Sequence, residues 1–443
     1  MSSEGDITQE RANSTGLPQP LAGICLALVG LGIMAFVAGL IRDPQKTWLA
    51  FHSNFIFTTM LACAGLVLSC VYTIVGAKWC GPYRRFAEGL AAWIPFAFIM
   101  GIIGFFGGHY LFEWYDHPIP SKAVWLNPVR VYTTDLSLMF IMSVLAFVYL
   151  KASARPTLYA LAQGEGGEAG GFAQRMAQRW TAGWKGEEEE WAISSRTKTK
   201  LAPVICLVFG IGFSIFNFDQ VMSMEQMWFS NLFGAYVCWG GILSAVAASV
   251  LLGVLHRDKP GYEGLITESR MHDIGKLLFG FSIFWMYLFW AQYLVIYYGN
   301  LPEETFYLRD RLGPQFMIDK GYTEYAFAQT WASFDFEWVR LTKGYGWASM
   351  VAWACCWLIP FWVLMGQRPK KTGWIVGPVA ACVLLGFWIE RNLLVWPSVI
   401  KNDMYSFIGL VPLCIAAGFC GAFILVFLFY SRVFPSLPTE HSS

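Results

Sequence analysis

The chain has 443 residues, of which 56% are hydrophobic, 17% aromatic and only 14% charged, with a formal net charge of +1. A soluble globular protein carries roughly a quarter charged residues, so this composition excludes an ordinary soluble domain and places the chain among polytopic membrane proteins. The near-neutral balance also excludes nucleic acid as a partner, because no basic patch is dense enough to neutralise a phosphate backbone.

Residues 1–20 are polar, with no basic n-region and no small-x-small cleavage site, so the first apolar run, 21–41, reads as a retained helix and not as a signal peptide. Hydropathy predicts nine further spans, at about 53–76, 88–108, 132–151, 202–219, 231–255, 275–298, 346–366, 374–395 and 405–431. The expected architecture is all-α and integral to the membrane. Spans two to five and six to nine form two four-helix bundles, flanked by spans one and ten. In domain terms this gives an N-terminal tail 1–20, spans one to four in 21–151, a connector 152–200, spans five to seven in 201–298, an outer loop 299–345, spans eight to ten in 346–431 and a tail 432–443.

Basic residues set the expected orientation. Loops after even-numbered spans and the two termini hold about nineteen Lys and Arg residues, against about ten on the other side, which puts both termini in the cytoplasm by the positive-inside rule. The connector 152–200 holds a Gly-rich run from Gln163 to Gly167 and the acidic cluster Glu187 to Glu190, and reads as a mobile cytoplasmic link between two halves. The outer loop is rich in aromatic residues, including Phe334 to Trp338. It reads as an interfacial aromatic belt or as a docking place for a partner subunit.

The eleven cysteines show no Cys-x-x-Cys or Cys-x-x-Cys-His spacing, and Cys355 and Cys356 are adjacent. They read as buried small apolar residues, with no covalent haem and no iron–sulfur ligation by this chain.

Charges at membrane depth cost about 2.5–3.5 kcal/mol each, so they need a partner or a use. The predicted spans put His52, Asp135, Asp219 and Glu225 near the outer face, with Glu390 and Arg391 at similar depth. Glu88, His272, Asp273 and Lys276 fall near the inner face, His272 and Lys276 on one side of their helix. Each alone is also explained as a helix-end or interfacial group, and Glu390–Arg391 as a self-compensating pair. Together, imidazole and carboxylates at one level suit a lipid-soluble substrate with exchangeable protons, meaning a quinol. Haem b held between His52 and His109 is a competing reading. A secondary transporter is another, although Pro95 and Pro203 do not sit at matching places in two halves.

Several ordered segments resemble one family. They are Phe51-His52-Ser53-Asn54-Phe55, Gly81-Pro82-Tyr83-Arg84-Arg85-Phe86-Ala87-Glu88, Trp125-Leu126-Asn127-Pro128, and Phe218-Asp219-Gln220-Val221-Met222-Ser223-Met224-Glu225 with Trp228-Phe229-Ser230 and Leu232-Phe233-Gly234. Further along come His272-Asp273-Ile274-Gly275-Lys276-Leu277-Leu278-Phe279, Gln292-Tyr293 and Asn300-Leu301-Pro302-Glu303-Glu304-Thr305. The pattern resembles the second polysulfide-reductase-type (NrfD-like) membrane subunit of alternative complex III, a quinol:electron-acceptor oxidoreductase. The resemblance implies a ten-span subunit of the bacterial cytoplasmic membrane, beside a sister NrfD-like subunit, an iron–sulfur subunit, c-type haem subunits and small membrane subunits. Haem and iron–sulfur centres would reside only in those partners. This chain would bind a quinone, menaquinone-type expected, conduct protons, or both. His52 and Asp135 would then hold the head group or take its protons, Asp219 would act as a proton exit or a hydrogen-bond partner, and the inner set would form the mouth of a possible half-channel. A structural anchor without a quinone or proton role is the alternative. Glu390–Arg391 and the length of 306–345 depart from the family pattern.

Overall fold

The computed structural model describes residues 19–163, 172–259, 262, 264–312, 345–400 and 406–433. All regular elements among them are helical. Ten helices are long and apolar enough to cross a membrane: α1 (Pro20–Arg42), α2 (Pro44–Ile74), α3 (Gly81–Leu111), α4 (Pro128–Tyr159), α5 (Glu187–Met224), α6 (Phe233–His256), α7 (Glu268–Gly299), α8 (Gly346–Val363), α9 (Gly373–Val399) and α10 (Leu410–Ser431). They correspond one for one to the predicted spans, and the protein is an all-α integral membrane protein. Residues 1–18 of the N-terminal tail, the Gly-rich run beyond Gln163, the Phe334–Trp338 motif and residues 434–443 of the C-terminal tail lie outside the described residues.

The helices outrun the apolar stretches that announce them. α2 starts at Pro44 because Asp43 caps it, its Oδ1 accepting from the Lys46 amide at 3.1 Å, with Pro at the first helical position. α7 starts at Glu268 under a Thr267 cap, and the four glutamates opening α5 complement the positive end of its macrodipole. Hydropathy registers only the part that matches hydrocarbon. In consequence His52, Glu88 and Asp135 lie about two turns inside their helices, not at the starts where the sequence pattern puts them.

α2 packs on α3 and α5, and α4 closes the first group of four; α6 packs on α7 and α9, and α8 closes the second. α2 also lies against α6 and α9 and so joins the groups. α1 and α10 form an antiparallel pair at the side, so close that a Cβ on Gly32 would come to 2.6 Å from the Gly418 Cα. Small residues at such a crossing let two backbones gain van der Waals contact that lipid tails cannot supply. α3 breaks at Ala92–Trp93 ahead of Pro95, which cannot donate to the preceding turn. α5 and α8 each contain a π-helical turn, at Val208–Gly212 and Ala354–Leu358.

Both ends of the described chain lie at one face, here the terminal face. Arg85 of α3 meets Ser153 of α4 there, and Gly253 of α6 meets Tyr83. At the opposite face Arg130 of α4 meets Asp219 of α5, and Tyr345 reaches the Ile400 carbonyl.

The segment 152–200 differs from the expected mobile link between halves. It joins α4 to α5, which pack together inside one bundle. The α4 helix runs on to Ala162, a short helix Phe172–Trp180 folds back on it, and Arg155 holds the buried Glu190 at 2.7 and 2.8 Å. Tyr159 stacks on Trp184 with centroids 4.1 Å apart. Burial of Glu190 and of the Ala154–Leu158–Ala177 contact anchors what composition alone reads as loose.

Gly418→Leu is expected to destabilise the protein by about 1–3 kcal/mol through overpacking against α1. Thermal unfolding of the detergent-solubilised protein checks it; an unchanged melting temperature would mean that the α1–α10 contact contributes nothing.

Candidate functional site

Three polar regions sit inside this apolar frame. The first joins α2, α4 and α5 at the opposite face. His52 on α2 donates from Nε2 to the Gln220 carbonyl at 2.7 Å, and the Gln220 side-chain amide donates to Asp135 Oδ2 at 2.7 Å. Asp135 Oδ1 is buried and meets no donor among the described residues. One residue before Gln220, Asp219 receives both Nη groups of Arg130, at 2.6 and 2.8 Å. Arg130 itself lies on the face of Trp125 at 4.0 Å and donates Nε to its carbonyl. The structure therefore brings His52, Asp135 and Asp219 into one layer. Gln220 and Arg130 join them, and nothing in the sequence pattern marks either as the linker.

The second region is a cavity of about 340 Å³ among α6, α7, α8, α9 and a short helix, Pro302–Leu312, that caps the second bundle. Asn300 turns the chain out of α7 in the left-handed conformation, φ 45°, which Asn tolerates. Tyr236, Trp285, Tyr293 and Trp353 line the cavity with Gln292, Glu390 and Arg311. It opens between α7 and α8, where the lining residues Trp290 and Met350 are exposed. Glu390 Oε2 stands 2.7 Å from Arg391 Nη1, and Arg391 Nη2 donates to the Val237 carbonyl at 3.0 Å. Gly240 leaves the room for that guanidinium, since a Cβ there would come to 2.7 Å from it.

Arg311 caps the cavity. It is buried, lies 3.6 Å over the Tyr307 ring, and donates to the Tyr307 and Leu394 carbonyls and to Ser398 Oγ. Trp228, from the turn after α5, stacks on the other face of Tyr307 with centroids 3.5 Å apart and rings parallel within 1°. Burial pushes the Tyr307 phenol up to about 12 despite the cation beside it. Glu225 lies in the electrostatic reach of Tyr307, at the seam between the bundles.

The sequence pattern groups Glu390 and Arg391 with His52, and the structure separates them. Ser53 Oγ donates to Asn392 Oδ1 at 2.9 Å and Trp388 Nε1 to Asn54 Oδ1 at 2.9 Å. The two sets therefore share a level, but they lie on opposite sides of the α2–α9 contact. The difference comes from helical phase: Glu390 and Arg391 point into α6 and the second bundle, which hydropathy does not register. Neighbours in sequence nonetheless pair with each other here.

The third region also divides. Glu88 is fully buried in the first bundle, where it receives Arg85 at 2.9 Å, Ser153 Oγ at 2.7 Å and Ser69 Oγ at 3.1 Å. Tyr149 continues the hydroxyl chain to Thr73 at 2.8 Å, and buried Lys198 adds charge nearby. His272, Asp273 and Lys276 form a separate group at the start of α7, Asp273 Oδ1 lying 2.9 Å from Lys276 Nζ and 3.8 Å from His272 Nδ1. Lys370 approaches from the short helix Gln367–Lys371; burial and Lys276 hold its ammonium below the ordinary lysine value. Glu88 lies in the first bundle and the α7 group in the second.

For haem, His52 Nε2 is committed to Gln220, and His109 pairs with Asp116 at 3.0 Å on the exposed end of α3. The sequence pattern does not mark Arg311 or Tyr236 as site residues, and Gln292 stands out in it only within a family-like segment. The proline opening their capping helix was visible; the fold-back that buries Arg311 was not. No protein-family model matches this chain, and no curated protein matches it.

Arg130→Ala leaves the buried Asp219 carboxylate without its counter-charge and is expected to cost about 3 kcal/mol. Adding Asp219→Asn recovers most of that loss. Thermal unfolding of the single and double variants checks both, and equal melting temperatures for wild type and Arg130→Ala would remove the pair as a fastener.

Proposed function

We propose that this protein is an NrfD-like membrane subunit of a quinol-oxidising electron-transfer complex, and that its ring pocket is the aromatic cavity of the second bundle. One observation carries the pocket: three buried donors at the cavity, Gln292 Nε2, Trp285 Nε1 and Arg311 Nε, have no hydrogen-bond acceptor among the described residues. Buried donors are nearly always satisfied, and an apolar cavity with a few convergent polar groups is the usual form of a small-molecule site. A quinol fits the chemistry. Its flat ring stacks among Trp and Tyr side chains, its oxygens accept from Gln292 and Arg311, and Glu390 is the carboxylate at hand to take a hydroxyl proton. Oxidation releases two protons and two electrons; the electrons pass to iron–sulfur or haem centres of partner subunits. The opening between α7 and α8 admits such a molecule from the bilayer.

In this reading the first bundle serves protons. Glu88 with Ser69, Thr73, Tyr149 and Ser153 forms a hydroxyl-lined entry from the terminal face, and Asp135, His52 and Asp219 form a second polar layer at the opposite face. The resemblance in sequence supports the assignment to a complex, and the positive-inside bias supports a cytoplasmic terminal face in a bacterial inner membrane. A specific observation favours the anchor alternative for the first bundle alone. The Arg130–Asp219 and His52–Gln220 contacts are saturated internally, as fasteners are.

Glu390→Gln in the assembled complex is expected to lower quinol oxidation about a hundredfold, the ordinary contribution of a positioned base, while haem and iron–sulfur subunits still co-purify. Turnover per complex equal to wild type would leave this chain a scaffold, and a chain that purifies alone would remove the complex.

A further inference from the structure

A second and larger void, about 860 Å³, runs as a furrow between α10 and the helices α2, α3, α6 and α9. Its walls are apolar for most of their length, with Leu61, Leu252, Leu384, Phe423 and Phe427 among them. At its deep end the Trp388–Asn54 hydrogen bond closes it against the core. At the terminal face it ends in a polar head, where His256, Lys259 and Tyr262 line it together. His256 Nδ1 donates to the Leu252 carbonyl at 2.8 Å, which leaves Nε2 as the ring's other nitrogen, and its ring packs on Phe86 and Tyr262. No acidic side chain is among the described residues that line the furrow.

Length and charge select the occupant. Along α10 the lining runs from Ala416 to Ser431, about 22 Å at 1.5 Å per residue. That exceeds the roughly 15 Å depth of one leaflet's hydrocarbon, so the furrow is long enough for a full acyl chain from its ester to its methyl end. Burial holds the Lys259 ammonium below its ordinary value, and an anion at that point favours the charged form.

We propose that the furrow is a binding site for one anionic two-chain phospholipid of the leaflet at the terminal face, its phosphate at Lys259 and His256 and one acyl chain along α10. This site is independent of the ring pocket, which lies in the second bundle on the far side of α9. A lipid fixed there would fill the joint between α10 and the two bundles, where protein atoms leave it open.

The test is native mass spectrometry of the purified protein, or its intact complex, reconstituted in phosphatidylcholine with and without phosphatidylglycerol. One phosphatidylglycerol per chain is expected to survive delipidation in preference to phosphatidylcholine. Lys259→Gln is expected to weaken its retention about fivefold, the worth of one lysine near an anionic lipid surface. Ala417→Phe, which fills the furrow without touching the charge, is expected to abolish retention; should it not fold, Lys259→Gln alone decides. Equal retention of both lipids means annular lipid only and overturns the site, as does retention unchanged in Lys259→Gln. A quinone recovered in place of the phospholipid, lost in Ala417→Phe, also overturns it.

Discussion

α2 has almost no lipid-facing side: 89% of its apolar core is buried within the protein. A helix surrounded by protein in a dry medium has to find partners for its polar side chains within the protein, because neither water nor lipid supplies them. α2 carries His52, Ser53, Asn54 and Ser69 on that buried surface, and their bonds run to α5, α9, and α3 with α4. Each bond is worth only about 1 kcal/mol or less. Together they fix the rotation of α2, and with it the position of the second bundle against the first.

The two bundles treat polar groups differently. In the first, the charged pairs at both faces are closed, with Arg130 on Asp219 and Arg85, Ser69 and Ser153 on Glu88, while Asp135 Oδ1 alone in its layer meets no donor among the described residues. In the second, the ion pair Glu390–Arg391 is set beside a void at whose wall Gln292 Nε2, Trp285 Nε1 and Arg311 Nε meet no acceptor among the described residues. A closed network holds helices together; an open one is prepared for a molecule that is not protein. Under the proposed function the same chemical vocabulary serves fastening in one half and reception in the other. Trp228 and Tyr307, stacked across the seam, keep the cap of the open site in contact with the turn that follows Asp219.

The depth of the charged residues was readable from hydropathy, and the convergence of His52, Asp135 and Asp219 follows from depth and from neighbouring spans. Their partners were not readable. Gln220 is one amide among many in the sequence, and it matters only because a helix end turns its carbonyl to His52 and its side chain to Asp135. Arg311 looks like one more loop cation until the capping helix folds over α9 and buries it. Hydropathy gives Glu390 and Arg391 a depth but no facing, since depth along a helix is a matter of counting and facing is a matter of neighbours.

The sequence by itself determined the solvent of this protein, the number of its spans and the level of its charges, because transfer of apolar surface and the cost of buried charge act residue by residue. The tertiary structure alone decided which charges share a bundle, which are saturated and where the voids lie. Those properties depend on helical phase and on contacts hundreds of residues apart, such as Ser53 with Asn392, and no local pattern carries them.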